Sequence, residues 1–158
     1  MSLQASAQCD MYQCYMKSVA YRADDAQRYA REALDYAYKA YMASTIKDVK
    51  MYAKKAMNAA ENTQSKAEDI RLNASIASYS PCKCLGDSED YAANAEDYAD
   101  EVEYYAKEAY EYAMKAYNSE NLNEAKEYAS KARYPAGTAA READYAEDEG
   151  DKGATKCN

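Results

Sequence analysis

Thiols and phenols are the side chains of this sequence with chemistry to offer. Five cysteines fall in three groups: Cys9 with Cys14, Cys82 with Cys84, and Cys157 alone. Neighbouring thiolates either oxidise in pairs to cystines or, kept reduced, bind a soft metal such as zinc or copper(I). Cys9, Cys14, Cys82, Cys84 and Cys157 are therefore disulfide candidates and, alternatively, ligands of a thiolate metal site. The metal alternative has no imidazole to help it, because the chain holds His 0. It also lacks the Cys-x-x-Cys spacing of common zinc sites. Spacing does not choose among pairings; the expected one joins Cys9 or Cys14 to Cys82 and Cys84 to Cys157. Disulfides imply an exported protein, periplasmic or extracellular.

The aromatic content is Tyr 19 with Trp 0 and Phe 0, so every ring brings a hydroxyl that needs water or a partner. Such rings either fill a core from its edges or form a binding surface, where a stiff ring loses little entropy when fixed. Tyr29, Tyr36, Tyr105 and Tyr112 are the candidate partner surface.

Other chemistry is poorly provided for. Without histidine there is no ordinary general base near neutral pH, and Ser–His or Cys–His nucleophile pairs cannot form within the chain. The Glu-x-x-His motif of di-metal helical bundles is excluded for the same reason. Gly86, Gly137, Gly150 and Gly153 make no phosphate-cradling loop. Asp24 and Asp25, like Glu89 and Asp90, are adjacent and diverge on a helix. Asp148 to Gly153 lacks the calcium-loop pattern and reads as a frayed tail. The expectation is a protein that is not an enzyme and has no cofactor.

The elements that must position these residues are helices, since Gly 4 and Pro 2 leave few breakers. Ala23–Met57 aligns without a gap on Ala99–Arg133, a shift of 76 positions. Tyr29-Ala-Arg-Glu-Ala-Leu-Asp-Tyr-Ala-Tyr-Lys-Ala-Tyr41 falls on Tyr105-Ala-Lys-Glu-Ala-Tyr-Glu-Tyr-Ala-Met-Lys-Ala-Tyr117. The match runs on through the polar linker, which helical periodicity alone does not explain, and marks an internal duplication. Helices are expected from about Asp10 to Met42, from Ile46 to Ala77, from Ser88 to Asn118, and after Asn121. Ser44 or Thr45 and the Asn121-Leu-Asn-Glu124 box provide caps. Pro135 is expected to kink the last helix rather than stop it.

Small residues recur at alternating spacings of three and four: Val19, Ala23, Ala26, Ala30, Ala33, Ala37 and Ala40 in the first helix, for example. Ile46 to Ala77, Ala92 to Ala116 and Leu122 to Ala146 continue the pattern in the other three. This is the contact seam of an antiparallel coil, expected to be the interior of each hairpin. Tyrosines flank the seam in the first and third helices, which are therefore expected to face one another between the hairpins.

The fold class expected is all-α: two tandem antiparallel helical hairpins with an alanine seam, forming a four-helix bundle or a stacked hairpin repeat. The organisation reads as 1–8 tag, signal remnant or disordered; 9–80 first hairpin; 81–87 cysteine-containing linker; 88–147 second hairpin; 148–158 flexible tail with Cys157. The hairpins resemble, in architecture alone, those of secreted bacterial proteins, a likeness that transfers no site.

Lys+Arg 20 against Asp+Glu 28 gives −8, with the two signs interspersed. That balance argues against nucleic acid as a partner, and no apolar run reaches the ~18 residues of a membrane span. The functional expectation is an exported structural or protein-interaction module, with an unknown protein partner or self-association. The alternatives are a thiolate metal-binding or storage protein and an acidic antitoxin or immunity-type binding protein.

Overall fold

The computed structural model describes residues 3–79 and 88–155, with side chains over 10–79 and 91–155. They form four helices: α1 (Leu3–Met42), α2 (Ile46–Tyr79), α3 (Ser88–Asn118) and α4 (Leu122–Thr155). The chain is an all-α four-helix bundle.

The two tight turns close in the same way at equivalent places in the duplication. In the first, the Thr45 hydroxyl accepts the Asp48 N–H at 3.1 Å and donates to the Asp48 carboxylate at 2.8 Å. In the second, Asn121 Oδ1 accepts the Glu124 N–H at 3.1 Å, and Ser119 Oγ donates to the Glu124 carboxylate at 3.1 Å. Each arrangement satisfies an amide that the first helical turn leaves without a partner, and sets an acid against the positive end of the helix.

The alanine seam is buried along all four helices. Ile46 and Leu122, which the duplication equates, are half-buried and close the core at the turn end. The seam is not the private interior of each hairpin, as the spacing suggested. Ala37, Ala56, Ala113 and Ala132, one from each helix, meet in a single layer. The next layer towards the turns joins Ala40, Val49, Ala53, Ala116, Ala125 and Ala129. A methyl removes little apolar area, so stability comes from many thin layers and close helix approach rather than from a few large side chains.

Neighbour relations also differ from expectation. α1 packs on α2 and α4, α3 packs on α2 and α4, and α1 and α3 stand diagonally with marginal contact. The tyrosine-flanked helices therefore do not face one another. Tyr36 of α1 faces α2 and Tyr112 of α3 faces α4, inside each hairpin.

The ends of the chain bring two further corrections. α1 begins at Leu3 instead of near Asp10, so positions 3–8 are helical. α4 runs unbroken through a buried Pro135 and on to Thr155, so 148–155 is packed helix rather than a flexible tail. Gly150 and Gly153 explain why. A Cβ on Gly150 would lie 2.5 Å from the Ala20 backbone nitrogen, and one on Gly153 2.8 Å from Met16 Cγ and Cε. These glycines admit α1 against α4. Residues 156–158 and the linker 80–87 lie outside the described residues.

Gly137 is different: a Cβ there would meet Leu34 Cδ2 at an ordinary 3.8 Å. Gly137→Ala is expected to raise stability by about 0.5–1 kcal/mol through helix propensity alone. A higher melting temperature of the variant at low protein concentration checks this.

Candidate functional site

The helix ends that lead towards the cysteines meet at one end of the bundle. Tyr12 and Met16 of α1, Ala77 of α2, Ala92 of α3 and Ala146 of α4 belong to one buried cluster. Cys14 is exposed and bonded to no other sulfur. The side chains of Cys9, Cys82, Cys84 and Cys157 lie outside the described residues. Among those described, no group of three or more His, Cys, Asp or Glu is placed to hold a metal ion.

The candidate tyrosines do not form one surface. Tyr36 lies in the α1/α2 groove, with Lys39 Nζ 5.3 Å and Lys55 Nζ 5.5 Å from its ring centre, and Lys55 also lies 5.9 Å from Tyr52. Tyr112 lies in the α3/α4 groove, with Lys115 at 5.3 Å, while Tyr128 has Lys131 at 5.5 Å and Lys115 at 5.9 Å. Two of these contacts recur in both copies of the duplication: Lys39 on Tyr36 as Lys115 on Tyr112, and Lys55 on Tyr52 as Lys131 on Tyr128. Each is a cation held over a ring face, which also keeps a lysine stem across the groove. Tyr29, one heptad before Tyr36, shares its edge of α1 and stacks with Arg28 at 4.3 Å. Tyr105 sits edge-on to Tyr104 at 5.1 Å, and desolvation by its surroundings raises its phenol above the usual range. All four rings are half-buried, on opposite sides of the bundle.

The exposed rings that sequence reasoning missed lie in the α1/α4 groove. Tyr38 and Tyr41 are exposed there. Arg133 lies 5.0 Å from the Tyr38 ring centre and 5.7 Å from that of Tyr41, with Lys126 5.9 Å from Tyr41. The signal was available in the duplication: Tyr38 and Arg133 fall on Met114 and Met57. Departure from the repeat marks this groove.

Its electrostatics depart as well. In the α2/α3 groove, Arg71 pairs with Asp100 at 3.1 Å and Glu103 at 2.5 Å, and the turn-end Lys50 pairs with Glu120 at 2.8 Å. In the α1/α4 groove the equivalents of Arg71, Asp100 and Glu103 are Glu147, Asp24 and Gln27. The equivalent of Lys50 is Lys126, and that of its acid is Ser44. Burial, then the nearby charges of Asp24, Asp151 and Asp144, raise the Glu147 carboxyl above its ordinary range, and Arg31 offsets only part of this. Gln27 Nε2 donates to Asp144 at 2.7 Å across this interface.

A carboxyl raised in the folded state favours folding below its unfolded pKa, and that contribution is lost as pH rises through the folded value. Glu147→Gln is therefore expected to be more stable than the parent at pH 7 and to lose that advantage below pH 4. Melting curves across that range check the sign.

Buried Glu149 is held in place by two contacts, accepting from Lys152 at 2.9 Å and from Asn94 at 3.1 Å. That ties the end of α4 to the start of α3 in the region first read as a tail. Among the described residues, no helix is long and apolar enough to cross a membrane.

With the geometry in hand, comparison with protein-family models, curated proteins and solved structures gives no match.

Proposed function

We propose that this chain is a non-enzymatic, exported structural or protein-interaction module, a bundle tied at one pole by disulfides. The observation that carries the reading is the convergence of all four helix ends at the thiol pole, around Tyr12, Met16, Ala77 and Ala92. Exposed Cys14 is the thiol left over, so the bridging set is Cys9, Cys82, Cys84 and Cys157. Alanine layers stabilise modestly, and cross-links at this pole constrain the unfolded chain where the helices would otherwise splay. Each long loop so closed contributes about 2–4 kcal/mol. The working part of such a molecule is its outside, where tyrosines and cations lie along the grooves.

Thermal unfolding with and without a reductant tests the proposal. Reduction is expected to lower the melting temperature by about 8 °C or more, at 2–4 °C per kcal/mol for a chain of this size. Identical melting curves for native and reduced protein would count against stapling, and with it against the exported scaffold.

A further inference from the structure

We propose that the α1/α4 groove is the interface of an antiparallel two-fold dimer, in which a second copy of this chain occupies the groove. The inference deepens the interaction-module reading and rests on it by naming the partner, but needs no disulfide.

Four observations carry it. First, the groove is electrically polar along its length. Its turn-end half holds Lys126 and Arg133 beside Tyr38 and Tyr41, while its other half holds Asp24, Asp144, Glu147 and Asp151 with one base, Arg31, among them. About 16 Å along α4 separates Arg133 from Asp144, at 1.5 Å per residue. Second, these charges form no direct ion pairs within the chain, Arg31 acting on Glu147 only from beyond contact distance. Lys126, Arg133, Asp24, Glu147 and Asp151 enter no ion pair among the described residues. The α2/α3 groove, equivalent by duplication, neutralises itself through Arg71 and Lys50. Third, Arg133 Nε is buried without a hydrogen-bond partner, although its guanidinium sits at the groove over exposed rings. Fourth, the helix carries a glycine between the two halves that packing within the chain does not require. Gly137 has no close neighbour to avoid, unlike Gly150 and Gly153, and replaces the Glu61 of the other copy.

A two-fold interface is self-complementary: one patch must contain both halves of every contact. Turning a second copy end over end about an axis near Gly137 lays each basic aromatic half on the partner's acidic half. The same axis brings α4 against α4 where a side chain would hold them apart. Tyrosine and arginine supply the ring and fork that protein interfaces favour.

The test is sedimentation equilibrium of the full chain in reductant, which prevents intermolecular cystines. The expected result is a dimer at about 20 mM salt that dissociates at about 500 mM, where the Debye length shortens to a few ångström. Lys126→Glu with Arg133→Glu makes both halves acidic, and Asp24→Lys, Glu147→Lys and Asp151→Lys together make the acidic half basic. Each variant alone is expected to be a helical monomer, its association weakened more than about tenfold by like charges. An equimolar mixture is expected to restore the dimer, which misfolded variants would not do. Gly137→Glu, which copies the other repeat, is expected to give a folded monomer. A monomeric parent at low salt, a dimer that survives charge reversal, open-ended oligomers, or a mixture that stays monomeric would each overturn the inference. Thiol counting is unaffected by those outcomes, so the scaffold reading fails or stands separately.

Discussion

Alanine at position 150 is expected to destabilise the bundle, while alanine at position 137 of the same helix stabilises it. Alanine is the better helix former at both sites by about 1 kcal/mol, so propensity alone predicts two gains. Packing reverses the sign at one of them. The added Cβ at Gly150 would stand 2.5 Å from the Ala20 nitrogen and 2.9 Å from its Cα and Cβ, all atoms fixed by helix α1. Neither a rotamer change nor a flexible tip can relieve that contact, so α1 and α4 must separate. Overpacking of this kind costs about 3 kcal/mol, leaving a net loss of about 2 kcal/mol after the propensity gain. For a chain of this size that lowers the melting temperature by about 4–8 °C. Urea titrations of the two variants give the difference directly. Equal and positive changes at both positions would show that α4 does not pack against α1 beyond Gly150.

The second large effect is a compensating pair at the same interface. Met16 fills the space that Gly153 leaves open, with its Cβ, Cγ and Cε within 3.0 Å of where a Gly153 Cβ would stand. In the duplicated copy the equivalent positions are Ala92 and Ala77, so one repeat uses a large and a small residue where the other uses two of middle size. Met16→Ala alone removes a buried side chain and is expected to cost about 3 kcal/mol. Gly153→Ala alone crowds Met16 and is expected to cost about 1–2 kcal/mol. The double variant recreates the alanine pair and is expected to be more stable than the two single losses summed, by about 1–3 kcal/mol. A double-mutant cycle from denaturant unfolding measures this coupling. Strict additivity would mean that the two residues do not share one space.

The seam was fully legible because period and residue type agree along it. Every seam position from Val19 to Ala40 in α1 and from Ala92 to Ala116 in α3 is buried. Periodicity says which stripe of a helix faces inward, but not which helix it meets. The tyrosines beside the seam were compatible with either neighbour, and the choice of α1 facing α3 was incorrect. Gly150 and Gly153 misled for a related reason. Glycine near a chain end signals helix termination through its backbone freedom, whereas here it signals close approach, which depends on a residue far away in sequence. The charged groove was readable only by subtracting one repeat from the other. Arg71 against Asp100 becomes Glu147 against Asp24, and the pairing that one copy satisfies is absent in its twin.

The proposed cystine-tied pole is tested most directly by counting thiols on natively purified protein. Intact mass is measured with and without reductant before any alkylation, and the cysteines that then react with an alkylating agent are located by peptide mapping. The prediction is two disulfides, a mass lower than that of the reduced chain by the four hydrogens they remove, and alkylation at Cys14. Five alkylated cysteines, or a mass that includes bound metal, would contradict it and turn attention to thiolate chemistry at the same pole.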